Sequence, residues 1–224
     1  MTTRVLISGS VAYDTIMVFD GHFKDHILPD RVHMLNVSFL APTLKREFGG
    51  CAANIAYTLK GLGGQPVVLA AVGRDGGDYV DRLAALGIDT ASVLRCEDLY
   101  TAQAFITTDL ADNQITAFHP GAMSRAHEVA ARGPAAWGIV APNGKDAMLR
   151  HAREYREAGI PWIFDPGQAM PMFSGDELRA LLEGATALAV NDYESGLMAE
   201  KTGLSEAELA ARVDAMIVTR GGEG

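Results

Sequence analysis

The chain has 224 residues, 48% hydrophobic and 21% charged, with a formal net charge of −9, two cysteines and six histidines. A chain of this length buries a sizeable core as one domain, and its acidity without any basic run argues against sequence-independent binding to nucleic acid or to an anionic membrane. Cys51 and Cys96 lack the paired spacing of a metal or redox motif, and no apolar run reaches signal-peptide or transmembrane length, so a reducing cytoplasm is the expected setting.

Short apolar runs bounded by glycine, asparagine or aspartate recur along the chain. Val5-Leu6-Ile7, Val67 to Val72, Gly138 to Ala141, Trp162-Ile163-Phe164, Ala187 to Val190 and Met216-Ile217-Val218 read as buried strands. Between them, Ala52, Ala56, Leu59 and Leu62 form one helical stripe and Met148, Ala152 and Tyr155 another, and the alanine-rich stretch from Ala207 to Val213 reads as an ordinary helix. Strand–helix alternation of this kind predicts an α/β domain with a mostly parallel sheet covered on both faces and a ligand site at the carboxyl ends of its strands. Residues 15–48 and 101–118 break the alternation. Their period-2 patterns, as in Leu35 to Phe39 and Ala104 to Thr108, predict a small separate sheet suited to act as a lid.

Candidate site residues cluster in four places. Asp14 follows the first strand in Gly9-Ser10-Val11-Ala12-Tyr13-Asp14, where it reads as a polar turn residue or as an acceptor for substrate hydroxyls. Phe48-Gly49-Gly50-Cys51-Ala52-Ala53-Asn54 places two glycines before a helix, where the backbone can approach a ligand closely, and Asn54 offers both a donor and an acceptor. Asn191-Asp192-Tyr193-Glu194 opens a helix after a strand and matches a capping box. Val218-Thr219-Arg220-Gly221 runs a strand into glycines. The segment Gly138 to Asp146 is one residue too long for a P-loop and carries Asp146 where Ser or Thr is needed; Val72 to Asp78 is read as a helix entry without chemistry.

The small-Gly-x-Ala-x-Asn-x-Ala run, with Gly63 and Gly73 beyond it, resembles the first signature of the PfkB, or ribokinase-like, family of sugar and nucleoside kinases. Asn191-x-x-Glu194 and Thr219-x-Gly221 follow in the family's order. The resemblance covers essentially all 224 residues and is closest to bacterial adenosine kinases, on Val37-Ser38-Phe39-Leu40, Phe118 to Met123 and Asp165-Pro166-Gly167-Gln168. It implies a ribokinase-like three-layer sandwich with a lid, and transfer of the ATP γ-phosphoryl group to the ribose 5′-hydroxyl of a nucleoside such as adenosine. A ribose- or fructose-type sugar kinase and a non-catalytic nucleoside-binding fragment are the alternatives.

By the same resemblance, Ser10, Asp14, Ser38, Gly49, Gly50, Asn54, Phe118 and Gln168 would bind substrate, Asn191, Thr219 and Gly221 the nucleotide, and Glu194 would organise Mg²⁺. Phe118 is the candidate for stacking on a base, with Phe105 a second, although Ala104 stands where related adenosine kinases place an aromatic; both rings read equally as lid core. The family's catalytic aspartate segment does not occur before Gly224, so the chain is expected to be an incomplete and inactive form of the kinase, with no catalytic base assigned. Lid edges that pair with a second copy are the expected route to a homodimer.

Overall fold

The computed structural model describes residues 4–27 and 36–223. In chain order, β1 (Arg4–Ser8), β2 (Ala12–Val18) and β3 (Thr43–Gly49) precede α1 (Cys51–Gly61), β4 (Gln65–Gly73), α2 (Gly77–Ala85) and β5 (Val93–Cys96). Next come β6 (Ala102–Thr108), β7 (Gln114–His119), β8 (Trp137–Val140), α3 (Lys145–Glu157), β9 (Trp162–Phe164) and α4 (Gly175–Gly184). The chain continues through β10 (Ala187–Asn191), α5 (Asp192–Thr202), α6 (Glu206–Ala210) and β11 (Ala215–Thr219).

Seven strands form the main sheet in the order β11-β10-β9-β8-β1-β4-β5, every pairing parallel. The period of two sends Leu6, Val67 and Leu69 to one face, where they pack with Met148, Tyr155, Leu178 and Met198 of α3, α4 and α5. Ile7, Val68, Ala70 and Val72 go to the other face, against Ala52 and Ala56 of α1 and Tyr79 and Leu83 of α2. This doubly covered sheet accounts for the continuous apolar runs in its strands. The remaining four strands form a mixed sheet in the order β3-β2-β6-β7, antiparallel at both outer pairs and parallel between β2 and β6. The architecture is the ribokinase-like α/β fold with its small separate sheet.

The structure differs from the sequence reading in several places. Asp14 sits inside β2, in register with Glu47 and Ala104, rather than in a turn. Asn36 to Phe39 form no strand, and Leu35 lies outside the described residues; the lid strand of that segment is β3 instead. Leu62, at 81% exposure, lies past the end of α1 and does not join its buried stripe. The helix expected from Ala207 to Val213 ends at Ala210. β5, four residues with one charge, was not apparent from the sequence, because an edge strand needs neither length nor continuous hydrophobicity.

Candidate functional site

The chain leaves β1 at Gly9 and Ser10, and Ser10 is what organises the start of α1. Its hydroxyl accepts the Cys51 amide at 3.0 Å and its carbonyl accepts the Ala52 amide at 3.0 Å, so it caps from across the chain a helix whose own N-cap, Gly50, has no side chain to do so. Gly50 has φ 93°, and a Cβ there would lie 2.6 Å from both Ala12 N and Ser10 O; this position requires glycine. The glycine pair therefore brings the lid strand, the first strand and the helix start together at one point.

A cavity of about 710 Å³ opens at this junction, between the carboxyl ends of the main-sheet strands and the lid. Ser10, Asp14, Gly50, Asn54, Phe118 and Gln168 all line it, with Ala104, Thr116, Met123 and Met172 adding apolar wall. Burial pushes the Asp14 carboxyl above its ordinary pKa, and no hydrogen bond from the described residues reaches it. Asn143 is a lining residue that the sequence reading passed over. It is buried, its Oδ1 accepts the Gly144 amide at 2.9 Å, and its Nδ2 has no partner. A buried donor without an acceptor is destabilising by about 1–3 kcal/mol, which a ligand acceptor would relieve. The only sequence signal for it was its place just after a predicted strand.

A second cleft, of about 310 Å³, adjoins the first through their common residues Cys51, Pro142 and Gln168. It is lined by Asp165, Asn191, Glu194 and Thr219, at the ends of β9, β10 and β11. The Asn191 side chain accepts the Glu194 amide at 2.7 Å, and the Glu194 carboxylate accepts the Asn191 amide at 2.9 Å, a complete capping box that still leaves carboxylate oxygen for other work. Asp165 is pushed up to about 6, by burial first and then by the charge of Glu194, against a lowering hydrogen bond from Gly167. A cation bound between them would offset the Glu194 charge that raises Asp165. The pair fits Mg²⁺, which takes oxygen ligands and keeps several waters, whereas no group of three or more His, Cys, Asp or Glu among the described residues forms a dedicated cage.

The profile of pfkB family carbohydrate kinases matches residues 4–224. The chain belongs to that family. It is 30% identical over 195 residues to a nucleoside kinase of Methanocaldococcus jannaschii, an alignment covering 84% of this chain and 63% of that protein. It superposes on a Burkholderia thailandensis nucleoside kinase solved in complex with inosine with a TM-score of 0.88 and 50% identity, over 98% of this chain and 71% of the other. A second structure of that kinase, in complex with ADP-inosine, gives a TM-score of 0.84 and 52% identity over 98% and 70% of the two chains. The chain thus spans less than two thirds of the length of the M. jannaschii relative.

In this pfkB-family chain, four residues singled out from sequence stand apart from both openings. Ser38 is exposed on an irregular segment and lines neither, and Gly221, exposed with φ 55°, lies beyond the cleft that Thr219 lines. Gly49 lies behind Asp14, where a Cβ would collide with the carboxylate. Phe105 does not line the cavity. Its neighbour Ala104 does, and alternation along β6 turns the ring to the other face. No helix among the described residues is long and apolar enough to cross a membrane.

Proposed function

We propose that this chain carries the nucleoside and nucleotide sites of a purine nucleoside kinase, which transfers the γ-phosphoryl group of ATP to the ribose 5′-hydroxyl. The observation that carries the reading is the pairing, in one cavity, of an unpartnered acceptor on Asp14 with an unpartnered donor on Asn143, beside an exposed aromatic face on Phe118. An ionised carboxylate can accept from two adjacent ribose hydroxyls, the Asn143 amide can donate to a ligand oxygen or nitrogen, and the ring offers a stacking surface of about 1–3 kcal/mol per base. Gly50 keeps side-chain bulk out of the way, and Asn54, exposed at the cavity edge, adds a donor and an acceptor.

The adjoining cleft is the nucleotide end of the same reading. Asn191 and Thr219 would face the nucleotide, and Glu194 with Asp165 would hold hydrated Mg²⁺ beside its phosphates. When bound, Mg²⁺ screens the phosphate charge that otherwise repels an incoming hydroxyl. The chain's own contribution is placement: two openings joined at Cys51, Pro142 and Gln168 bring an acceptor hydroxyl and a donor phosphate within reach of each other. Both outer lid strands, β3 and β7, are exposed, so a second copy can pair along either edge.

Calorimetric titration of the chain with inosine, adenosine, ribose and fructose tests the substrate class. Saturable binding of both purine nucleosides and none of the free sugars is the expected result. Binding of ribose or fructose alone would replace this reading with a sugar-kinase one, and a preference for adenosine over inosine would narrow it to adenosine.

A further inference from the structure

Tyr79 lies on α2, outside the cavity, and its hydroxyl donates a buried 2.7 Å hydrogen bond to the Gly49 carbonyl. The bond ties the last residue of a lid strand to a helix of the main domain, so it fixes Gly49 from outside its own sheet. Gly49 is in turn the surface against which Asp14 rests, since a Cβ there would collide with the carboxylate. With no hydrogen bond from the described residues to Asp14, this contact is a main determinant of where its oxygens lie.

Packing alone does not require the hydroxyl. The Tyr79 ring meets Phe48 with centroids 4.6 Å apart and Tyr13 at 5.5 Å, contacts that phenylalanine would make equally well. Burial above all, and then the nearby Asp14 charge, push the Tyr79 phenol far above its ordinary pKa, so it remains a proton donor throughout the physiological range. We propose that Tyr79 is a positioning residue of the ribose site: its hydroxyl holds Gly49 in place and thereby sets the Asp14 carboxylate where two ribose hydroxyls can reach it. This inference rests on the nucleoside reading above.

The test is titration calorimetry of the 224-residue chain with inosine and with 2′,3′-dideoxyinosine, which lacks the hydroxyls that Asp14 would accept. The wild type is expected to prefer inosine, and Tyr79→Phe to reduce inosine affinity about three- to tenfold while leaving dideoxyinosine affinity unchanged. Tyr13→Phe removes a 3.2 Å hydrogen bond to the Asp75 carbonyl within the same aromatic cluster and should keep the wild-type preference. Gly49→Ala, which unseats Asp14 while leaving the Tyr79 hydroxyl present, should lower the preference as Tyr79→Phe does. A Tyr79→Phe protein that keeps the wild-type preference, or that loses the same factor for both ligands, overturns the proposal, as does a Gly49→Ala protein with the wild-type preference. A wild-type chain that binds both ligands equally would instead remove the nucleoside reading, and this inference with it.

Discussion

The main sheet and the lid are held together by different physics. Strands β1, β4 and β8 bury side chains on both faces between helices, whereas β7 is exposed along its whole length and β3 at every residue but Gly49. The lid is anchored by Tyr13, which packs with the core residues of α1 and α2, and by a few directed contacts. Thr101 donates its amide to Asp75 at 2.7 Å and accepts the Gly73 amide on its hydroxyl at 3.0 Å, while Gly121 and Gly73 let backbone lie directly on the Tyr100–Thr101 backbone. The cavity lies on the seam between these two regimes. The main domain supplies Ser10 and Asn143 and the lid supplies Asp14 and Phe118, so a ligand bound in the cavity would touch both.

That contrast can be broken most forcefully from the core side. Phe164→Ala, at a fully buried ring between Trp162 and the helices, should destabilise the whole chain by about 3–5 kcal/mol in denaturant unfolding, with lid and core lost in one transition. Next in size is Gly121→Ala at the lid root, where φ is 45° and a Cβ would strike the Tyr100 carbonyl. A loss of about 1–3 kcal/mol is expected, concentrated in amide exchange of β6 and β7 and sparing β4.

Smaller effects come from two buried polar groups, one in each region. His151 is fully buried, with Nε2 donating to the Val129 carbonyl at 2.9 Å and Nδ1 2.7 Å from the Ser8 hydroxyl, which donates to the neutral ring. Burial leads the forces that lower its pKa, with Arg150 adding to it and Glu154 opposing. The unfolded chain therefore takes up a proton more readily than the fold does. Stability should fall as pH drops below about 6.5, by at most about 1.4 kcal/mol per pH unit, and His151→Asn should flatten that slope in a series of melting curves.

Asp109 does the corresponding work in the lid, accepting the amides of Phe23 at 3.0 Å, Ala111 at 2.9 Å and Asn113 at 2.9 Å. Burial would raise its pKa, but these bonds and the Asn113 side chain prevail and bring it down to about 2. Its contribution is present above about pH 4 and lost as pH falls toward 2. Asp109→Ala should abolish exchange protection of those amides at neutral pH with little change in the global melting temperature; a large global change would mean that the lid and core are not separate regimes.

The same division governs what could be read from the sequence. Buried parallel strands declare themselves as apolar runs, and all six of those expected lie in the main sheet; Gly50, Asn54 and Asp14 were joined as one site by the family resemblance, and all three line the cavity. In the lid, where neither face is continuously buried, periodicity carries little information: Asn36 to Phe39 alternate without forming a strand, and Asp14 lies inside one that no apolar run announces. Tyr79 acts through Gly49, 30 positions away, and Asp165 is raised by burial and by Glu194, 29 positions away, while Asn143 is set apart by burial and by a donor left without an acceptor. Nothing local marks a tyrosine on α2 as touching a glycine of the lid.

The most direct test of the account is the affinity of the chain for inosine with and without the Asp14 carboxylate, measured by calorimetry alongside thermal melting. The account predicts saturable binding by the wild type and a loss of about tenfold or more in Asp14→Ala at an unchanged melting temperature, since a charge-assisted hydrogen bond contributes roughly 1.5–3 kcal/mol. Equal affinity in the two proteins, with Asp14→Ala fully folded, would contradict it by removing Asp14 from the site.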